Sequence, residues 1–157
     1  MQGSGGRKTQ RRPSPRLFQF RAVAFGDMQR ALERLFASGA QVILYESGIE
    51  CGRRSYQRHM KGKVHAKAVT SALRRLKLME RWGKFKIDLE KGVILVKDSF
   101  EADGYGGSDV PVCHFMRGYL TGFFTEYLKK EVKIVEEQCE AQGKPYCLFR
   151  IVEKKPE

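Results

Sequence analysis

The chain has 157 residues and a formal net charge of +12, from 30 Lys and Arg against 18 Asp and Glu. This length suits one domain that buries an ordinary hydrophobic core without disulfides. Apolar runs are short and interrupted by charges, so we expect no membrane span, and residues 1–16 contain no apolar segment typical of a signal peptide. We therefore expect a cytoplasmic protein whose four cysteines are thiols or metal ligands.

Five basic residues and no acidic residue lie in the first 16 positions: Arg7, Lys8, Arg11, Arg12 and Arg16. Because Gly, Pro and Ser are frequent there, we expect residues 1–16 to be a flexible basic arm and residues 17–157 to be a single domain. A second basic cluster comprises Arg53, Arg54, Arg58, Lys61, Lys63 and Lys67. Together the arm and the cluster are consistent with nucleic-acid binding, and equally with a well-solvated surface.

The first third of the chain is predicted as strand, helix and strand. Residues 17–25 are apolar and indicate a strand or a segment that docks on a neighbouring element. Asp27 can cap a helix whose apolar residues recur at helical spacing until Gly39 ends it. Residues 41–45 form an apolar run that predicts a buried strand.

Two further helices are predicted before the chain changes character. Ser47 and Glu50 form a capping-box pattern that opens a helix through about His59. Residues 64–80 show helical periodicity. Its predicted inward residues are Val69, Ala72, Leu73 and Leu76, and its predicted outward residues are Lys67, Arg74, Arg75 and Lys77. Two glycine pairs at a spacing of four predict close helix packing: Gly48 with Gly52, and Gly118 with Gly122.

After Trp82 the apolar residues alternate, which predicts a β-hairpin turning at Gly92. The remaining elements are predicted as a glycine-rich loop at 101–109, a long helix within 110–130 and a second hairpin whose turn contains Gly143 and Pro145. Strands and helices do not alternate regularly. The order therefore predicts an α+β domain with a mostly antiparallel sheet of about four strands packed against helices.

Cys113, Glu136, Cys139 and Cys147 form a candidate metal site. Strand alternation points Glu136 and Cys147 towards apolar neighbours, and a carboxylate that faces a core needs a cation or a donor. Three thiolates and one carboxylate suit a tetrahedral zinc ion. Because protein ligands would fill all four positions, such a zinc would be structural. The alternative is a set of buried free thiols with Glu136 or Glu137 in an ordinary salt bridge.

The C-terminal sequence "VCHFMRGYLTGFF", followed by "EYLKKEVKIVEEQCEAQGKPYCLF", resembles the signature of the 4-vinyl reductase domain family. "DSFEA" at 98–102 and "YESGIECGRRSY" at 45–56 are similar to further family segments, and the resemblance covers roughly residues 27–152. The family includes zinc-containing small-molecule sensor domains of aromatic-hydrocarbon-responsive activators and stand-alone prokaryotic members. The resemblance implies that zinc is held by Cys113, Glu136, Cys139 and Cys147.

The resemblance also implies a fold shared distantly with vesicle-tethering subunits and haem nitric-oxide-binding domains, a homodimer, and a pocket for a small hydrophobic ligand. Candidate pocket residues are His65, Trp82 and Val96, although an exposed histidine and a core tryptophan are the plainer interpretations. Val96 stands where the aromatic sensors place a tryptophan, so recognition of simple phenols is not expected. Cys51 is expected to pack as a small side chain, and His114 to face away from Cys113.

The sequence therefore predicts a zinc-stabilised domain that binds or senses a small molecule, without catalytic residues. One alternative is a reductase, or a reductase subunit, acting on a vinyl tetrapyrrole; no nicotinamide or flavin motif accompanies it. The second alternative is a nucleic-acid-binding regulator that uses the basic surface.

Overall fold

The computed structural model describes residues 16–153, so the predicted basic arm lies outside the described residues except for Arg16. In chain order the helices are α1 Ala22–Phe36, α2 Gly39–His59, α3 Ala66–Met79, α4 Phe100–Tyr105 and α5 His114–Leu128. The strands are β1 Lys84–Asp88, β2 Val93–Lys97, β3 Val132–Gln138 and β4 Cys147–Glu153, with a 3-10 turn at Glu140–Gln142. Within this range no helix combines the length and apolar character that crossing a bilayer requires.

The four strands form one antiparallel sheet in the order β1-β2-β4-β3. Both predicted hairpins are present, and the pairing of β2 with β4 joins them, with Val96 opposite Cys147. Ile94, Ile134 and Phe149 are fully buried and share the hydrophobic core with α5. The predicted α+β class with a four-stranded antiparallel sheet is confirmed.

The backbones of α2 and α5 touch at two pairs of glycines: Gly48 and Gly52 in α2, and Gly118 and Gly122 in α5. A Cβ atom added to any of the four would collide with a backbone carbonyl oxygen of the facing helix. Glycine is therefore required by the close approach of the helices. The close packing that the spacing predicts is confirmed.

Residues 41–45 are not a strand, because they lie inside α2. Leu44 is buried, whereas Val42 and Ile43 are exposed, as expected for one buried face of a helix. Ser47 does not cap a helix here. Its hydroxyl donates to the carbonyl oxygen of Ile43, one turn earlier, at 2.7 Å.

Two segments predicted without helix are partly helical. The predicted strand at 17–25 is wrong because α1 begins at Ala22. The predicted loop at 101–109 is wrong over α4, in which Gly104 lies against the backbone of Ala22 in α1 and has no room for a side chain. Cys51, expected to pack, is exposed because the buried face of α2 passes through its neighbour Gly52.

Candidate metal centre

Three thiols meet where α5, β3 and β4 come together. Cys113 is the N-cap residue of α5, Cys139 follows β3, and Cys147 is the first residue of β4. Their Sγ atoms are 3.8, 3.8 and 3.9 Å apart, and all three residues are fully buried. Disulfide sulfurs would be about 2.05 Å apart. Zn–S bonds of about 2.3 Å hold tetrahedral sulfurs about 3.8 Å apart, which these separations match.

Glu136 completes the group. Its Oε2 accepts a hydrogen bond from the backbone N–H of Cys113 at 3.0 Å, while its Oε1 is buried and has no hydrogen-bond partner among residues 16–153. One ligand atom from each of the four residues lies within 4.8 Å of the others. A buried carboxylate oxygen without a partner is unfavourable unless a cation or a donor satisfies it. The three sulfurs and the unpaired oxygen therefore fit a divalent ion with the ligand preference of zinc.

Without a cation, this pocket disfavours negative charge. Burial raises the pKa of the Cys113 thiol well above its usual value. Burial, together with the adjacent Cys139, raises the pKa of the Glu136 carboxyl to about 9. Hydrogen bonds from Cys113 and Cys147 lower the pKa of Cys139, so one thiolate is favoured at the expense of its neighbours. Four deprotonated ligands would need the charge of a metal ion.

A second layer of hydrogen bonds surrounds the sulfurs. The Ser99 hydroxyl oxygen lies 3.4 Å from Cys113 Sγ, and the backbone N–H of Glu140 donates to Cys147 Sγ at 3.3 Å. The Glu140 carboxylate in turn accepts from the backbone N–H groups of Asp98 and Ser99 at 2.9 and 2.8 Å. Such contacts orient metal ligands. Here they link the cysteines to the start of α4.

Glu101 holds the first turn of α5. It is fully buried, and its carboxylate accepts from the backbone N–H groups of Phe115 and Met116 at 2.9 and 2.8 Å. These N–H groups lack partners within their own helix. Burial raises the pKa of Glu101 to about 8. Because Cys113 begins this helix, Glu101 also positions the Cys113 thiol.

A cluster of five aromatic side chains shares these segments of chain: Phe25, Trp82, Phe100, Phe115 and Tyr119. We refer to it as the aromatic cluster. The Trp82 ring lies 5.2, 5.7 and 4.8 Å from the ring centroids of Phe100, Phe115 and Tyr119. Phe100 follows Ser99, and Phe115 lies two residues after Cys113. The elements that form the cysteine site therefore also form this apolar region.

Lys77 lies against the aromatic cluster and not in solvent, so its predicted outward orientation is wrong. Its Nζ is 3.6 Å from the Trp82 ring centroid, 3.8 Å from that of Tyr119 and 2.6 Å from a carboxylate oxygen of Glu80. The Lys77 side chain is 2% exposed, and burial lowers its pKa to about 8. Lys77 is in helical phase with the buried Val69 and Leu73. That spacing is the signal that could have placed it.

The structure brings together all four residues predicted as metal ligands, and His114 is not part of the group. Among the pocket candidates, Trp82 lies in the aromatic cluster, Val96 is fully buried in β2, and His65 is exposed at the start of α3. Ser99, Glu101 and Glu140 were not predicted to support the site. A serine followed by acidic residues at a helix start could have indicated the first two.

Residues 93–153 match the model of the 4-vinyl reductase (4VR) domain. The matched segment contains β2, β3 and β4, helices α4 and α5, and the four residues of the candidate site. Residues 93–153 belong to the 4VR domain family. The family resemblance of the C-terminal sequence is thereby confirmed.

Curated relatives of this 4VR-domain chain include two uncharacterized proteins of Methanocaldococcus jannaschii. MJ0745 is 26% identical over 112 residues, which cover 71% of this chain and 56% of MJ0745. MJ0855 is 34% identical over 58 residues, which cover 36% of this chain and 25% of MJ0855. The aligned part is thus about half, or less, of each relative.

Three solved structures have a similar fold. The phenol-responsive sensory domain of the transcription activator PoxR, bound to phenol, has a TM-score of 0.70 at 22% identity, covering 87% of this chain and 76% of that domain. A vinyl-4-reductase family protein from M. jannaschii has a TM-score of 0.57 at 21% identity, covering 83% and 95%. Trafficking protein particle complex subunit 3 from Naegleria fowleri, covalently bound to palmitic acid, has a TM-score of 0.61 at 12% identity, covering 85% and 93%.

Proposed function

We propose that this 4VR-domain chain is a small-molecule-binding sensory domain stabilised by a structural zinc ion. The observation that carries the proposal is the group of three sulfurs 3.8–3.9 Å apart beside the unpaired Oε1 of Glu136. Cys113, Glu136, Cys139 and Cys147 would hold the ion. Since these residues supply four ligands, the zinc would cross-link the start of α5 to β3 and β4 and leave no position for a substrate.

The aromatic cluster is the proposed binding region for a small hydrophobic ligand. Its rings line the junction of α1, α4 and α5, and its polar groups are few. Similarity in fold to the phenol-responsive sensory domain supports a sensory role. Val96 offers an aliphatic surface where the aromatic sensors are expected to have tryptophan, so we propose a ligand other than a simple phenol.

A homodimer is the proposed assembly, and exposed apolar side chains at the junction of α1 and α2 support it. Leu35, Phe36, Val42 and Ile43 are all at least 40% exposed and lie within one short stretch of chain. Water-exposed apolar patches of this kind mark contact surfaces. Analytical ultracentrifugation tests the assembly: a dimer that Leu35→Glu converts to a folded monomer supports it, and a wild-type monomer contradicts it.

Native mass spectrometry of the purified full chain tests the proposed zinc centre. We expect one zinc per chain, retained through purification and lost together with thermal stability in strong chelator. A metal-free protein whose melting temperature is unaffected by the chelator would contradict the proposal. Solvent extraction of the same preparation, followed by mass spectrometry, would identify any hydrophobic molecule that copurifies.

The alternative activity, reduction of a vinyl tetrapyrrole, is tested separately by anaerobic turnover with an external reductant. A rate above that of boiled protein would support a reductase, and a rate equal to it would exclude one under those conditions. Nucleic-acid binding through the basic arm stays a prediction.

A further inference from the structure

The solvent side of α2 and α3 carries positive charge that the proposed sensory function does not use. Between Glu50 and Glu80 the sequence has no Asp or Glu. Among the described residues, three of its cations are ion-paired: Arg53 with Glu131, Arg54 with Glu50, and Lys77 with Glu80. The remaining cations have no ion-pair partner in the described part of the chain: Arg58, Lys61, Lys63, Lys67, Arg74 and Arg75.

Part of this charge lines a groove between α3 and β1. The groove has a volume of about 340 Å³ and is lined by Ser71, Arg74, Arg75, Leu78, Lys84 and Phe85. Its four α3 residues follow a helical spacing of three or four and so share one face of the helix. The Nε–H of Arg74 donates to the carbonyl oxygen of Phe85 at 3.0 Å, which fixes the guanidinium against the groove. Lys84 also lines it, although its ammonium pairs with Asp98 at 2.8 Å.

Two large aliphatic side chains stand beside these cations. Leu78 and Met79, in the last turn of α3, are 58% and 70% exposed. A nucleic-acid interface would use the arginines but gives exposed Leu and Met no apolar partner. An anionic lipid surface uses both, because headgroup phosphates attract cations while the acyl boundary accepts aliphatic side chains.

We propose that the α3 groove surface, defined by Arg74, Arg75, Leu78, Met79 and Lys84, docks on an anionic phospholipid membrane. Arg74 and Arg75 would bind headgroup phosphates, and Leu78 and Met79 would enter the acyl boundary. This docking is peripheral and does not depend on the proposed zinc or on the aromatic cluster. It would bring the domain to the bilayer, where hydrophobic small molecules partition.

Vesicle cosedimentation of the full chain tests the proposal, with residues 1–15 present in every sample so that their contribution stays constant. Vesicles contain phosphatidylcholine alone or with about 30% phosphatidylglycerol. We expect binding to the anionic vesicles only, with a loss of roughly tenfold or more in partitioning for Arg74→Gln/Arg75→Gln. Leu78→Ser/Met79→Ser should also weaken binding. The matched control is Lys133→Gln/Lys144→Gln, which removes two exposed cations elsewhere and should change binding less than about twofold.

Three results would overturn the proposal. The first is absence of binding to anionic vesicles at low salt. The second is equal weakening by the control pair, which would show diffuse attraction by net charge. The third is binding to duplex DNA that the arginine pair weakens while vesicle binding is insensitive to Leu78→Ser/Met79→Ser. Because Arg74 bonds to a backbone carbonyl, Arg75→Gln alone is measured too, and melting curves confirm that each variant is folded.

Discussion

At the scale of single residues, two adjacent glutamates in β3 have opposite environments. Glu136 points into the cysteine group with a buried, unpaired oxygen, whereas Glu137 points outward and forms an ion pair with Arg150 at 2.6 Å. They have the same charge and lie in the same strand. The pair therefore offers a matched test of the metal centre.

Glu136→Gln is expected to lower zinc affinity by roughly 10-fold or more, because a neutral amide oxygen is a weaker ligand than a carboxylate. Glu137→Gln removes the same charge outside the group and should leave zinc affinity unchanged. Competition with a chromophoric chelator measures both affinities. Equal affinity in the two variants would show that Glu136 is not a ligand.

Lys77 provides a prediction about pH. Its pKa is lowered to about 8 from its usual 10.5, so between these values the unfolded chain binds more protons than the folded one. Folding stability contributed by Lys77 therefore rises with pH from about 8 to 10.5, by up to about 3 kcal/mol. Lys77→Met lacks this term, so its advantage over the wild type in unfolding free energy should shrink from about pH 7 to about pH 10. Urea denaturation at both pH values measures it, and a pH-independent difference would contradict it.

The residues of the cysteine site could be predicted because strand alternation and the family signature both point to them. The unpaired state of Glu136 Oε1 could not, since it depends on the position of α5. Lys77 shows the reverse difficulty. Its spacing was visible, but charge argued for a solvent position, and the ring faces of Trp82 and Tyr119 that receive it come from outside α3.

At the scale of secondary-structure elements, the contact between α2 and α5 depends on glycine. Gly52→Ala would place a Cβ atom against the carbonyl oxygen of Tyr119 and force the helices apart. We expect the unfolding free energy to fall by about 1–3 kcal/mol or more. Gly39→Ala, in the same helix, meets Phe36 Cβ at an ordinary 3.6 Å and should be neutral or slightly stabilising. Thermal melts compare the two, and equal effects would contradict the tight contact.

Element type could be predicted where periodicity was long, as in α3, α5 and both hairpins. It failed where the local signal was short. Residues 41–45 are a run of apolar residues that fits either a buried strand or one turn of a helix. In α4, Gly104 looked like a loop residue, but its missing side chain serves the contact with α1. Both errors arise because tertiary packing, and not local preference, decides the outcome.

At the scale of the whole molecule, the proposed zinc would join the first residue of α5 to both strands of the second hairpin. Removing it with a chelator should lower the melting temperature by roughly 5–10 °C. Amide hydrogen exchange should accelerate around Cys139 and Cys147, while the α2–α5 contact stays protected. Readdition of zinc should reverse both effects. Uniform acceleration throughout the chain would contradict a local role for the ion.

The overall architecture followed from element order, but its assembly did not. Pairing of β2 with β4 is a long-range contact that no local pattern specifies. The same holds for the aromatic cluster, which draws on α1, α4, α5 and the turn before β1. Family resemblance supplied the general fold and the four metal-ligand positions. The environment of each side chain required coordinates.

The glycine contact between α2 and α5 also limits the routes by which a small molecule could reach the aromatic cluster. Two helices whose backbones touch leave no opening along their seam, so passage from that side is blocked. Trp82 is half-buried at the corner between α3 and β1, whereas Tyr119 behind it is buried. Entry is therefore directed past the indole. Since the chain has one tryptophan, its fluorescence would register each arrival.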